Sequence, residues 1–404
     1  MHSDRRSFYV AVLARSLATG LVGVLLGIHL AALDLPASTV GLVVGLGLAG
    51  AALATTVVTF LADRIGHRRC LLVITMLTVG GACALALSTS PWALGLAAFV
   101  GMVNGMGRDR GAALVIEQAA LPATGTDAER TMTFAKYNVL QDIGHAGGSL
   151  LAGVPALLGH VGVASDPAQR DALWLYAALC AVPLFAYARL SATIEAPRMT
   201  KSASLTPGSK RTLTKISALF AIDAVGGGFL TTALLSYFFY ERFGVGANEI
   251  GLLFFVARIA NAASHFAAAA LAKRIGLVNT MVFTHIPSSL LLLTVPFMPD
   301  FTTAAILFLL RESLVEMDVP TRQSYVMAVV RPEERTFASG ITHLVRLAGW
   351  ALAPAFAGLL MTGQSLAMPI VVGAALKITY DVALWRAFRG VKPPEESTAR
   401  IQRR

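Results

Sequence analysis

Charged residues are scarce in this chain: Asp, Glu, Lys and Arg make up 14 % of its 404 residues. Soluble domains carry roughly 25 %, so the composition excludes an ordinary globular fold. Hydrophobic residues account for 55 % of the chain. The sequence therefore indicates a protein whose surroundings are largely apolar.

Catalytic and cofactor signatures are missing as well. No Walker loop, nucleophile–base motif or His/Cys cluster with metal-ligand spacing occurs, so we predict no cofactor, no metal site and no enzymatic activity. The internal histidines are each expected to be satisfied core residues: His29, His265, His285 and His343. The cysteines are odd in number, which argues against a disulfide framework and favours core filling: Cys70, Cys83 and Cys180.

Long apolar runs are what the sequence has in place of charge. A transmembrane helix needs about 20 predominantly apolar residues. Twelve segments meet this requirement, at about 9–31, 38–61, 70–88, 92–120, 132–158, 172–192, 214–240, 249–271, 277–298, 303–329, 336–361 and 366–388. We therefore predict an all-α membrane protein with twelve transmembrane helices, in contact with the lipid bilayer.

The formal net charge of +10 is distributed by loop and does not form a nucleic-acid-binding face. Lys and Arg occur in alternate connections, whereas the opposite connections contain only Arg170 and Arg242. This asymmetry follows the positive-inside rule. It predicts a multi-pass protein of the cell (inner) membrane with both termini in the cytoplasm, and no nucleic-acid partner.

An internal repeat divides the chain. The stretch FLADRIGHRR at 60–69 aligns with ALAKRIGLVN at 270–279, and Glu129-Arg130-Thr131 aligns with Glu334-Arg335-Thr336. Two parallel six-helix halves are one known transporter plan. We predict pseudo-symmetric halves at 1–194 and 216–390, a cytoplasmic linker at 195–215 and a cytoplasmic tail at 391–404.

These residues resemble the major facilitator superfamily, whose signature loop reads G-x-L-A-D-R-x-G-R-K/R. Thr59 replaces the leading glycine and His67 stands where arginine is usual. In span five, Gly144-His145-Ala146-Gly147-Gly148 resembles the G-P-x-x-G-G element of drug/proton antiporters without its proline. The resemblance implies a twelve-helix fold and a transporter, without naming a substrate.

The signature loop and its neighbours are the predicted conformational gate. Gly66 suits a tight turn between spans, and the resemblance implies that Asp63 helps to close the cytoplasmic side beside the N-terminus of span eleven. Glu117 is the expected partner of Arg64 or Arg130. A loop that only sets topology is the alternative. The gating set is Asp63, Arg64, Gly66, Arg68, Glu117 and Arg130.

Ionisable residues inside the spans are the candidates for a proton-coupling and substrate cavity, because a mid-bilayer charge costs roughly 2.5–3.5 kcal/mol on insertion scales. Asp142 and His145 stand one helical turn apart and are the candidate proton carriers, or a pair that only neutralises itself. Arg15 lies nearer the cytoplasmic side. The full set is Asp142, His145, Asp223, Arg258, Arg311, Glu312, Arg346 and Arg15.

Pairing among these charges decides the chemistry of the cavity. Asp223 could pair with Arg346, and Arg258 with Glu312, within one half. Unpaired arginines would favour anions, whereas unpaired acids would favour cations and protons.

We interpret the chain as a secondary active transporter that moves a small organic solute by alternating access, with protons as coupling ion and export as direction. An organic-anion importer or facilitator using the intramembrane arginines is the alternative. A non-transporting membrane sensor is disfavoured because the tail is short. The protein is expected to be a monomer.

Overall fold

The computed structural model describes residues 2–108, 111–124, 130–160, 162, 165–191, 194, 206–318, 322, 325 and 335–389. Throughout these residues the regular structure is helical, without a β-strand. In this described part of the chain, eight helical stretches are long and apolar enough to cross a membrane. The prediction of an all-α membrane protein is confirmed.

Fifteen α-helices lie in the described part of the chain. The first eight are α1 (His2–Ala32), α2 (Ala37–Ile65), α3 (His67–Leu87), α4 (Pro91–Gly101), α5 (Ala112–Ala120), α6 (Arg130–Leu151), α7 (Val154–His160) and α8 (Ser165–Ala188). The remaining seven are α9 (Pro207–Gly228), α10 (Thr232–Phe243), α11 (Ala247–Ile275), α12 (Leu277–Thr294), α13 (Phe301–Val315), α14 (Arg335–Gly363) and α15 (Met368–Phe388). Within the described residues, every predicted span overlaps one helix or two consecutive helices.

Spans four, five and seven were predicted as continuous helices, but each is broken into two. The break in span five lies at Ala152 and Gly153, just before Pro155 in the first turn of α7, and proline has no N–H to donate to the preceding turn. The break in span seven follows a run of three glycines, and Thr231 caps α10 by accepting a hydrogen bond from Leu234 N at 3.2 Å. Glycine weakens a helix interior and hydroxyls favour caps.

The break in span four pairs with the break in span seven. Met102 takes a left-handed conformation with φ 53°, and residues 102–111 separate α4 from α5. Ala233 N donates a hydrogen bond to Gly105 O at 3.0 Å, and Thr232 Oγ1 donates to Met106 O at 2.8 Å. Backbone groups released by the two breaks therefore satisfy each other, as an apolar environment requires.

The chain divides into two compact units. The first contains Met1–Thr200, Leu230–Phe255 and Ala351–Leu366, and the second contains Lys201–Phe229, Val256–Trp350 and Ala367–Arg404. One core of the first unit surrounds Phe8, Leu71, Tyr137 and Tyr187. One core of the second unit surrounds Phe220, Met281 and Tyr380.

The division into two units does not test the predicted six-helix halves and linker, which stay a prediction. The first unit holds all of the predicted N-terminal half together with two segments from later in the chain. Helix α9 begins at Pro207, inside the predicted linker, after Thr206 accepts a hydrogen bond from Ser209 N. Residues 195–205 and the tail at 391–404 lie outside the described residues.

Candidate functional site

The signature loop makes a tight turn from α2 into α3 at Gly66. This glycine has φ 103°, a value that side-chain-bearing residues rarely adopt, and its N–H donates to Ala62 O at 2.8 Å. Arg64 is exposed beside the turn. The side chain of Asp63 lies outside the described residues, so its predicted contact with span eleven stays a prediction.

The side chains of His67 and Arg68, which follow the turn, contact the end of α8 and the chain beyond it. Arg68 Nη2 donates to Ala188 O at 2.6 Å, at the end of that helix, where carbonyls have no partner within the helix. The buried His67 contacts Ile194 O through Nδ1 at 3.0 Å. The departure from arginine at position 67 thus fits a buried backbone contact.

Glu117 of α5 is fully buried and is bound by Arg15 of α1. Arg15 Nη1 and Nη2 meet the two carboxylate oxygens at 3.0 and 2.6 Å. The hydroxyls of Tyr187 and Tyr137 donate to the same oxygens at 2.6 and 2.5 Å. We expected Glu117 to pair with Arg64 or Arg130. The cationic partner shown for Glu117 is Arg15, which therefore belongs to this cluster, whereas the side chain of Arg130 lies outside the described residues.

The predicted proton pair of α6 is divided between two environments. Asp142 is exposed, whereas His145, three residues on, is 4 % exposed. Residues three apart share a helix face, but on this face one of the two side chains is exposed and the other is buried. The role of the pair in proton transfer stays a prediction.

The glycines around His145 bring α6 against α1. A Cβ at Gly148 would lie 2.1 Å from Leu17 O, and a Cβ at Gly20 would lie 2.3 Å from His145 O. Small residues permit such backbone contact between membrane helices. The element that resembles the antiporter motif is therefore a helix-packing contact within the first unit.

A buried network of charges occupies the second unit, with Asp223 at its centre. Lys377 Nζ lies 3.0 Å from Asp223 Oδ1, while Arg322 Nη1 and Arg346 Nη2 lie 3.2 and 3.7 Å from Oδ2. The predicted pairing of Asp223 with Arg346 is thus present. Arg322 also binds Asp318 at 2.6 Å. One carboxylate contacts three cations from three different predicted spans.

A histidine–carboxylate pair extends this network. His285 Nδ1 lies 2.9 Å from Asp381 Oδ2, and His285 Nε2 lies 3.5 Å from Lys377 Nζ. The histidine and Asp381 are 1 % and 0 % exposed. The expectation that His285 is only a satisfied core residue misses this contact. Lys377 and Asp381, four residues apart within an apolar run, were a usable signal for it.

A second polar cluster joins α11 and α13. Glu312 forms an ion pair with Arg311 and accepts a hydrogen bond from Asn261 Nδ2 at 2.7 Å. We expected Arg258 to be the partner of Glu312, but the contacts shown for Glu312 are with these two residues. Arg258, one turn from Asn261 on α11, is partly buried.

Comparison with known proteins identifies the class of this helical bundle. The sequence profile of the Major Facilitator Superfamily matches residues 8–315 and 216–404. The chain therefore belongs to the major facilitator superfamily. Family and fold together make it a multi-pass membrane transporter with the twelve-helix fold of that family.

A full-length relative is an uncharacterized membrane protein of Saccharomyces cerevisiae. It is 24 % identical over 423 residues, covering 96 % of this chain and 94 % of that protein.

Three solved transporters have a similar fold. The nucleoside transporter NupG aligns with a TM-score of 0.75 at 14 % identity, covering 96 % of this chain and 99 % of its own. The inward-open xylose transporter XylE from E. coli gives 0.71 at 11 % identity, with 94 % and 96 % covered. The human organic anion transporter MFSD10 gives 0.57 at 15 %, with 95 % and 99 % covered. At these identities the likeness concerns the fold alone.

Proposed function

We propose that the protein is a proton-coupled secondary transporter that exports a small organic solute by alternating access. The observation that carries the proposal is the contact of the buried His285–Asp381 pair with Lys377 and Asp223. Intramembrane ionisable groups that touch one another are typical of proton relays. We assign proton uptake to this pair.

The charges around the pair favour proton uptake. Among the described residues, the network has four carboxyl groups and three basic side chains: Asp223, Glu316, Asp318 and Asp381, and Arg322, Arg346 and Lys377. When the four carboxyl groups are ionised, the three basic groups are protonated and His285 is neutral, negative charges in this set exceed positive ones by one. A single proton on the histidine–carboxylate pair would balance the network, and buried charges are tolerated when they are balanced.

The geometry also links the proton to a movement of Lys377. The ammonium can donate to His285 Nε2 only while that nitrogen carries no proton, which places the histidine proton on Nδ1, facing Asp381. A proton on Nε2 would face the ammonium and repel it toward Asp223. Uptake of one proton would therefore rearrange the contacts between α9, α12 and α15.

Export and orientation rest on sequence resemblance and charge distribution. The element at 144–148 resembles one found in drug/proton antiporters, and its neighbour Asp142 is a second candidate for proton binding. The basic loops favour a cell (inner) membrane location with both termini cytoplasmic. We propose that the protein works as a monomer.

An uncoupled importer or facilitator of organic anions is the alternative. It would use Arg258, Arg311 and Arg346, of which Arg311 is paired with Glu312 and Arg346 makes the longest contact with Asp223. This alternative predicts substrate movement that a pH gradient does not drive.

Electrical recording of pH jumps tests the proposal without knowing the substrate. Proteoliposomes on a solid-supported membrane should give a charge displacement when the external pH changes. His285→Gln and Asp381→Asn should abolish it, whereas Asp300→Asn, in an exposed connection, should leave it intact. Loss with Asp142→Asn alone would move the proton site to α6. A displacement that survives all three site variants would contradict proton coupling.

A further inference from the structure

Arg346 and Trp350 lie one turn apart on α14, and the guanidinium of Arg346 packs against the indole ring of Trp350. The guanidinium carbon of Arg346 lies 4.7 Å from the centroid of the Trp350 ring. Cations in this position are attracted by the ring quadrupole. The contact fixes a planar cation against a planar aromatic face inside the second unit.

Among the described residues, few hydrogen-bond acceptors lie close to the guanidinium of Arg346. Its Nη2 reaches Asp223 Oδ2 only at 3.7 Å, which is longer than a hydrogen bond. Its Nε is buried, and no described residue accepts a hydrogen bond from it. A guanidinium carries five N–H donors, and buried donors that stay unsatisfied are costly.

Asp223 is held more closely by other cations. Lys377 approaches it at 3.0 Å and Arg322 at 3.2 Å. Arg346 is therefore the cation of the network that could exchange its contact for an external carboxylate while Asp223 keeps two partners.

A glycine of α9 lies beside Trp350 and Lys377. A Cβ at Gly227 of α9 would lie 3.2 Å from Trp350 Nε1 and 3.9 Å from Lys377 Nζ. An indole N–H and an ammonium thus lie against a position that carries no side chain. A larger residue there would press on the indole nitrogen.

We infer that Arg346, Trp350 and Lys377 bind the carboxylate and ring of an aromatic organic anion, and that this is the substrate class of the proposed transporter. The guanidinium grips a carboxylate with two parallel hydrogen bonds, while the indole offers its face to an aromatic group. Lys377 also contacts His285 of the His285–Asp381 pair. Binding of the anion and uptake of the proton would therefore both change the contacts of the Lys377 ammonium. The inference rests on the proposed function.

Quenching of tryptophan fluorescence tests the site directly. The chain has four tryptophans, and a nitroaromatic group quenches an indole that it touches. We expect 4-nitrobenzoate to quench the detergent-purified protein saturably, and 4-nitrobenzamide, its neutral counterpart, to quench only weakly. Trp350→Phe should remove the saturable quenching, whereas Trp92→Phe, at a position 85 % exposed, should retain it.

Arginine variants test the charge requirement. Arg346→Gln should weaken 4-nitrobenzoate binding by roughly 10- to 100-fold, the range expected for hydrogen bonds to a charged group. Arg346→Lys should lose less, because it keeps the charge without the planar fork. Arg386→Gln, which removes an exposed charge from the same unit, is the matched control. If Arg346→Gln fails to fold, the charge requirement is tested by Arg346→Lys and by comparing 4-nitrobenzoate with 4-nitrobenzamide in the wild-type protein.

Two failures can be told apart. Equal quenching by benzoate and benzamide, or quenching that Trp350→Phe leaves unchanged, would overturn the anion site even if the pH-jump signal depends on His285. Selective benzoate binding without any pH-jump signal would instead leave the anion site standing and contradict proton coupling.

Discussion

Lys377 Nζ lies 3.0 Å from Asp223 Oδ1, and both side chains are buried in the second unit. A buried ion pair adds little net stability because desolvation offsets attraction, but removal of one partner leaves an uncompensated charge. The coupling between Asp223 and Lys377 is therefore measured best by replacing each residue alone and then both together.

Asp223→Asn should be strongly destabilising because it removes the one carboxylate that three cations share. We expect a loss of about 3–5 kcal/mol, the range for breaking a buried pair. The double variant Asp223→Asn with Lys377→Gln should recover part of that loss. Thermal unfolding of the purified protein measures both. A double variant that loses the sum of the two single losses would show that the pair is not coupled.

The carboxylate of Glu117 should be sensitive to loss of its tyrosine donors. Tyr137→Phe and Tyr187→Phe each remove one hydrogen bond to a buried charged group and should each cost about 1.5–3 kcal/mol. The rings keep their packing, so the loss isolates the hydroxyl. Tyr240→Phe, at a partly exposed tyrosine, is the control and should change the unfolding temperature little. Unchanged unfolding in Tyr137→Phe would contradict the bond to Glu117.

Features that depend on local sequence were predictable. The apolar runs define the spans, and Gly66 was expected in the tight turn where it has φ 103°. The break in span seven could have been anticipated from Gly226-Gly227-Gly228, since three successive glycines weaken a helix. Lys377 and Asp381 were visible as charges four residues apart.

Partners between distant helices were not predictable in the same way. Arg15 and Glu117 are 102 residues apart, and their contact depends on which faces of α1 and α5 meet. The hydrophobic periodicity of a sequence shows which face of a helix carries polar residues, but it does not show which other helix packs against that face. The same limit explains why Asn261 was missed as a partner of Glu312.

Asp300 should stabilise the start of α13 in a pH-dependent way. Its carboxylate accepts hydrogen bonds from Thr303 N and Oγ1, both at 2.9 Å, and these bonds lower the pKa of the carboxyl group. A lowered pKa means that the stabilisation is complete above the unfolded value of about 3.9 and disappears as pH falls through the folded value.

At neutral pH, Asp300→Ala should speed hydrogen exchange in the first turn of α13, whereas Asp300→Asn should retain most of the cap because asparagine is also a good cap. Equal exchange in the wild type and Asp300→Ala would rule out a stabilising cap.

Arg68 should hold the end of α8 through Ala188 O. Arg68→Gln shortens the side chain and removes a cation that favours a helix C-terminus. Exchange protection of the last turn of α8 should fall, which hydrogen exchange of residues 185–191 reports. Arg69→Gln, at the exposed neighbouring arginine, serves as the control. The contact is refuted if both variants alter this turn equally.

The contact between α6 and α1 should tolerate no side chain at Gly148. A Cβ there would lie 2.1 Å from the Leu17 carbonyl oxygen, a distance that forces two backbones apart, and overpacking typically costs about 1–3 kcal/mol. Gly148→Ala should therefore lower the unfolding temperature. Gly80→Ala in α3 is the matched control, because no atom lies within 4 Å of its Cβ position. That variant should gain up to about 1 kcal/mol, since alanine favours a helix over glycine. Stabilisation by both variants would mean that α1 and α6 do not approach backbone to backbone.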